Sequence, residues 1–345
     1  MKSKTFSYDR QYTIDTPLNY ILLLGVSLFF WIAGYMASTG YPLYSEEGAT
    51  PLWNTVCRIL PNKTITYLVG LFLTVGGAFL IYRANYILMI IREKTLMPFF
   101  LYILLISTNL DFFPLKSTSL GIFCLILAFY QLLTSYHDPA AAIQKVFNAA
   151  FFIGIGSLLW IHILWFLPIF WLGMHNFKIL TLRTFLASLV GTGVIYWFLL
   201  GWCVWQRDYT SFGIPFASLL KTGLPDLLTR SLLVDWLPIL FIAMLTIISI
   251  VHILLHEYED SLRTRRFLSF LIIFSAASFA LFLLYRQSSN EFLGIICMPV
   301  SILISHFFTV KKGKKKIRLY YVLILLFIFL SFLRSSWTFL SNTVI

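Results

Sequence analysis

Long apolar runs separated by short polar breaks follow one another from end to end of this chain. Bilayer hydrocarbon is about 30 Å thick, so a spanning helix rising about 1.5 Å per residue needs about 20 apolar residues. Eleven runs meet or approach that length: 18–38, 65–83, 96–110, 117–136, 146–161, 163–177, 184–203, 232–255, 267–285, 291–310 and 319–338. The third is short. The fifth and sixth are also short and share a turn near His162, where Pro168 and the length of the run predict a tight helical hairpin. The pattern predicts an all-α fold: a polytopic integral membrane helix bundle of about eleven transmembrane helices, forming a single membrane domain over 1–345.

Composition removes the alternatives. Hydrophobic residues make up 59% of the chain and charged residues 12%, about half the charge of a soluble domain. A soluble globular enzyme and a disordered or fibrous chain are both excluded. The net charge of +12 would point to nucleic acid in a soluble protein, but in a membrane protein it first reports topology. With the N-terminus inside and the runs alternating, 18 of the 26 Lys and Arg fall on the cytoplasmic side. The 14 acids divide equally, so the cytoplasmic side carries almost all of the excess. This predicts N-terminus in and C-terminus out, with the basic inner loop 311–318 fixing orientation and no nucleic acid as partner. The length of the first run argues against a cleaved signal peptide.

Long ordered connections usually carry function, and the two longest fall outside, at about 39–64 and 204–231. The first holds the acidic pair Glu46 and Glu47. Thr50 and Pro51 then form a helix-start signal, followed by Leu52, Trp53, Val56, Cys57, Ile59 and Leu60 at helical spacing, with Arg58 on the polar side. A short amphipathic helix in the interface is predicted there, either as a lipid-anchored connector or as part of a site. The second connection holds Arg207, a short apolar piece from Ile214 to Leu220 with Pro215 at its beginning, and Arg230. Asp111 lies in the tight turn between the third and fourth runs, where a carboxylate near low dielectric needs a cation or a wet cavity. Glu46, Glu47 and Asp111 are therefore the candidate catalytic acids, as base and charge stabiliser. Salt bridging to Arg58, Lys63, Arg207 or Arg230 is the plainer alternative for each. Arg58, Arg207 and Arg230 are candidate phosphate ligands, because a guanidinium grips phosphate in a fork. His162, at the outer turn of the hairpin, is a candidate substrate-binding residue, with a capping or surface role as the alternative.

Other motifs carry less. His252 and His256 share a helix face, but no Glu stands between them as in a metalloprotease motif, and interfacial histidines suit the position. The four Cys show no ligand or disulfide spacing, and no metal site is expected. No nucleotide-binding or nucleophile-elbow motif occurs, and the cofactor is unknown. Gly154, Gly156, Gly191, Gly193 and Gly201 predict close helix approach.

Two resemblances follow from these residues. Val146-Phe147-Asn148-Ala149-Ala150-Phe151-Phe152-Ile153-Gly154-Ile155-Gly156-Ser157-Leu158, then an apolar hairpin, Lys178 and Arg183, resembles a segment of uncharacterised multi-pass inner-membrane proteins from Bacteroidota. Tyr82-Arg83-Ala84-Asn85 and Leu96-Met97-Pro98 are similar to the same group, which matches over roughly 65–205. The architecture also resembles the GT-C glycosyltransferases, which have an inside N-terminus, a long first outer loop with a juxtamembrane helix and an acidic motif, and short hairpins. That resemblance implies Glu46 or Glu47 as the first-loop acid, Asp111 as the second, and a polyprenyl-phosphate-linked sugar as partner beside the lipid bilayer. The first-loop motif of that family usually contains Asp, which this chain replaces with the Glu pair, and the large soluble C-terminal domain of that family is not expected here. The expectation is a bacterial inner-membrane enzyme, a GT-C-like glycosyltransferase or polymerase, acting on polyprenyl-phosphate-linked glycans at the outer face. A non-catalytic transport or envelope-assembly subunit is the alternative.

Overall fold

A computed structural model describes residues 16–37, 53, 56–57, 62–107, 109, 112–137, 140–207, 210–220, 222–223, 233–285, 289–309 and 314–343. Twelve α-helices lie among them. They are α1 (Pro17–Ala37), α2 (Lys63–Leu88), α3 (Met97–Ser107), α4 (Ser117–His137), α5 (Ala142–Leu159), α6 (Phe166–Asn176), α7 (Leu182–Gln206), α8 (Thr210–Ser218), α9 (Leu233–Leu255), α10 (Leu262–Leu284), α11 (Ser289–Thr309) and α12 (Lys314–Thr343). Short 3-10 turns occupy Ile161–Trp165 and Glu257–Glu259. No strand occurs among the described residues. Nine helices (all but α3, α6 and α8) are long and apolar enough to cross a bilayer. The chain is an all-α, multi-pass membrane protein.

The third and sixth predicted runs contain α3 and α6, with 11 residues each. Each is about 16 Å long, roughly half the hydrocarbon thickness. A short helix exposes unpaired backbone at its ends, which lipid cannot satisfy. Here α3 is buried among its neighbours along most of its length, and α6 continues from the Ile161–Trp165 turn.

Helix ends are set by local chemistry. Asn62 caps α2 by accepting from the Thr64 N–H at 3.0 Å, and that helix stops where Met89 turns left-handed at φ 51°. Thr181 and Thr184 form a reciprocal capping box at the start of α7, which ends at left-handed Arg207, φ 55°. Ser261 caps α10.

Cross-helix bonds show the alternating directions. Where α1 begins, here called the near end, Tyr321 of α12 bonds Asn19 of α1, and Asn176 Nδ2 of α6 donates to the Arg266 carbonyl of α10 at 2.8 Å. At the opposite, far end, Lys63 Nζ donates to the Tyr35 carbonyl at 2.9 Å, and the Leu115 N–H to the Thr66 carbonyl at 3.2 Å. At the centre stands α11, whose membrane segment is buried throughout against α3, α4, α9, α10 and α12. Outer helices instead turn one face outward, as Phe72, Trp197, Ile247 and Leu325 show. Those apolar faces fit hydrocarbon.

Candidate functional site

The far end holds one predicted substrate residue in an unusual setting. Helix α5 stops at Leu159 because Trp160 is extended, φ −146° and ψ 108°, and the chain then coils into the 3-10 turn. Pro168 follows in the first turn of α6, where its missing N–H costs no hydrogen bond. The predicted helical hairpin is therefore present, and it turns His162 inward to 3% exposure.

Three rings enclose that imidazole. Trp160, Tyr285 and Phe292 lie at centroid distances of 5.1, 4.7 and 6.0 Å, with the last two edge-on. Trp160 and Phe292 also meet at 4.9 Å. Burial pushes the His162 pKa down to about 4, against an upward pull from a hydrogen bond with the Ser218 backbone. The ring is consequently neutral near pH 7. Its Nδ1 is buried and has no hydrogen-bond partner. A neutral imidazole that donates through one nitrogen presents a lone pair on the other. An unsatisfied buried acceptor costs about 1–3 kcal/mol, which a ligand hydroxyl or a water would offset.

Helix α8 lies over this nest. Tyr285 Oη donates to the Leu219 carbonyl at 2.8 Å, and the Gly223 N–H to the Leu284 carbonyl at 2.9 Å. The Phe216 ring packs on Tyr196 at 5.4 Å, and Tyr196 Oη donates to Ser157 Oγ at 2.8 Å. The helix begins at Thr210, four residues before the predicted apolar piece, so Pro215 falls inside it. Two cavities elsewhere in the bundle measure about 20 and 10 Å³, one lined by Thr74, Tyr102 and Ser119, the other by Trp171 and Ser188. Each has room for about one water, and neither admits a sugar.

Of the other predicted site residues, only Arg207 falls among the described residues. Glu46, Glu47, Arg58, Asp111 and Arg230 lie outside the described residues. So does most of the predicted amphipathic segment, of which Trp53 is helical and buried. Arg207 is exposed at the end of α7, and its backbone N–H bonds the Val204 carbonyl at 3.1 Å.

A second polar cluster at the near end was not predicted as a site. Asp260, 6% exposed, accepts from Arg92 Nε at 2.5 Å and has His306 Nε2 at 3.5 Å. Glu259 lies 3.8 Å from Arg92 Nη1. Arg265 Nε donates to the Asp260 carbonyl at 2.9 Å, and Arg263 Nη2 to the Leu88 carbonyl at 2.5 Å. Burial raises the Asp260 pKa, but His306 and the Arg92 guanidinium outweigh it, and the carboxyl is held below its ordinary value. The turn that carries Arg92 is fixed by Asn85, whose Oδ1 accepts from the Ile91 N–H at 2.8 Å. His252 and His256 stack at 4.3 Å, and no group of three or more metal-ligating side chains occurs among the described residues.

The sequence profile of a family of unknown function, DUF6427, matches residues 55–337. The chain belongs to that family. The match takes in α2 through most of α12 and both polar clusters; Glu46 and Glu47 precede it. No curated protein matches the chain, and no solved structure does.

Proposed function

We propose that this DUF6427 protein is a bacterial inner-membrane enzyme acting on polyprenyl-phosphate-linked glycans, with the far end of the bundle as its outer, working face. The observation that carries the reading is the His162 nest. A neutral imidazole with an unpartnered Nδ1, walled by Trp160, Tyr285 and Phe292, has the chemistry of a sugar contact: an acceptor for hydroxyls and aromatic faces for the ring's C–H surface. The helix ends that flank the two longest connections predicted to be outside lie at the same end, and their acids and arginines would face that side. Glu46, Glu47 and Asp111 would supply base and charge stabilisation, and Arg58, Arg207 and Arg230 would hold phosphate. On this reading the loops and acids would follow the plan of the GT-C glycosyltransferases.

A second reading rests on the packing. A bundle whose described cavities hold about one water each also suits a non-catalytic subunit of an envelope assembly. Complementation separates the two. Cells depleted of the chain should lose a surface glycan, and the wild-type gene should restore it. A gene carrying Asp111→Asn with Glu46→Gln and Glu47→Gln should not. Unchanged glycan on depletion would sink the enzymatic reading. Full rescue by the triple variant would favour the subunit.

A further inference from the structure

We propose that the His162 nest is a subsite for a hydroxyl-bearing sugar ring, and that α8 is a cover that must lift to admit it. The inference rests on the lipid-linked glycan reading and specifies the part of the ligand that enters. Neutral Nδ1 with its lone pair unmet accepts a hydrogen bond. A phosphate offers only acceptors near pH 7 and gains nothing from such an atom, whereas a sugar hydroxyl donates to it. His162 would therefore take a sugar hydroxyl and not the phosphate. The enclosing rings of Trp160, Tyr285 and Phe292 carry no charge, which again suits a sugar over a phosphate.

In the described conformation the nest is closed and no sugar fits. One wall is α8. It is a nine-residue helix, and Gly213, Ala217 and the following Leu220 are exposed on its outer side. Among the described residues its seat includes the Tyr285 bond to Leu219, the Gly223 bond to Leu284 and the Phe216–Tyr196 ring contact. A nine-residue helix held by contacts of this kind can open locally without unfolding the bundle. Lifting it removes the Leu219 and Phe216 contacts that hold this side of the nest closed.

Two measurements on the full chain in lipid nanodiscs test this. The first compares binding of a polyprenyl diphosphate-linked hexose with that of the sugar-free polyprenyl diphosphate. His162→Phe should weaken the sugar-bearing lipid about tenfold, the value of one hydrogen bond, and leave the sugar-free lipid unchanged. His162→Asn, which keeps an acceptor near the Nδ1 position, should recover part of the loss. The second is the rate of His162 ethoxycarbonylation by diethyl pyrocarbonate, with exposed His175 as internal reference. Tyr285→Phe, which removes one tether, should raise the His162 rate several-fold and leave His175 unchanged. If wild type binds neither lipid, the functional reading fails and the subsite with it. If wild type binds and His162→Phe binds equally, or loses both lipids alike, the subsite alone is overturned. An unchanged labelling rate in Tyr285→Phe overturns the cover.

Discussion

Asp260 sits almost fully out of solvent between two basic groups from distant parts of the chain, Arg92 on the α2–α3 turn and His306 near the end of α11. Its folded pKa lies below its ordinary value of 3.8. The stability it contributes is therefore present above pH 3.8 and is lost as pH falls through the lower folded value. Asp260→Asn should cost about 1–3 kcal/mol at pH 7, less than the roughly 3–5 of a fully buried pair because Arg92 is partly exposed. Melting temperatures measured from pH 7 downward should show the variant's deficit shrinking as the wild type's carboxylate titrates. A constant deficit would show that the packing of the side chain, rather than its charge, matters. Nothing in the sequence marked this triad. Arg92 and Asp260 are 168 positions apart, each resembles an ordinary loop charge, and His306 lies inside an apolar run. His162 was legible because it interrupts a run at a turn. Its neutrality was not, because the Tyr285 and Phe292 rings that bury it come from a distant stretch, the end of α10 and the start of α11.

Elements were more legible than contacts, for a physical reason: hydropathy reports where hydrocarbon lies, and helices extend beyond it. The second apolar run ends at 83, yet α2 continues to Leu88. Arg83 stays in the helix by placing its guanidinium 5.8 Å from the Tyr130 ring. The ninth run was read from 267, whereas α10 starts at Leu262 under the Ser261 cap and includes Arg263, Arg265 and Arg266 in its first turns. Small residues were read as packing sites without distinction, and the structure separates them. A Cβ on Gly191 would lie 2.6 Å from the Phe147 carbonyl oxygen, while Gly193 and Gly201 have nothing within 4 Å. Gly191 thus sets the closeness of α5 and α7, whereas Gly193 and Gly201 do not. Gly191→Ala should force the helices apart and cost about 1–3 kcal/mol, and Gly193→Ala should be neutral or slightly stabilising through helix propensity. Thermal unfolding of the two variants in the same detergent checks this, and equal melting temperatures would contradict it.

At the scale of the molecule, the two polar clusters stand at opposite ends of the same pillar. Phe292 at the start of α11 belongs to the His162 nest, and His306 near its other end belongs to the Asp260 triad. Which end faces the cytoplasm is argued from charge. The segment between α11 and α12 contains Lys311 and Lys312, and Lys314, Lys315 and Lys316 open α12; the segment between α1 and α2 contains Glu46 and Glu47. Translocating five lysines costs more than translocating that acidic segment, so the near end is expected inside. Single-cysteine reporters test it directly, in a background where Cys57, Cys124, Cys203 and Cys297 are replaced by Ser. Ser45→Cys should react with a membrane-impermeant maleimide in intact cells, and Gly313→Cys only after lysis. The opposite pattern would place the His162 nest in the cytoplasm. Lipid-linked glycans assembled at the outer face could then not reach it, and the proposed function would fall with the topology. The packing of the bundle and the Asp260 triad would be unaffected.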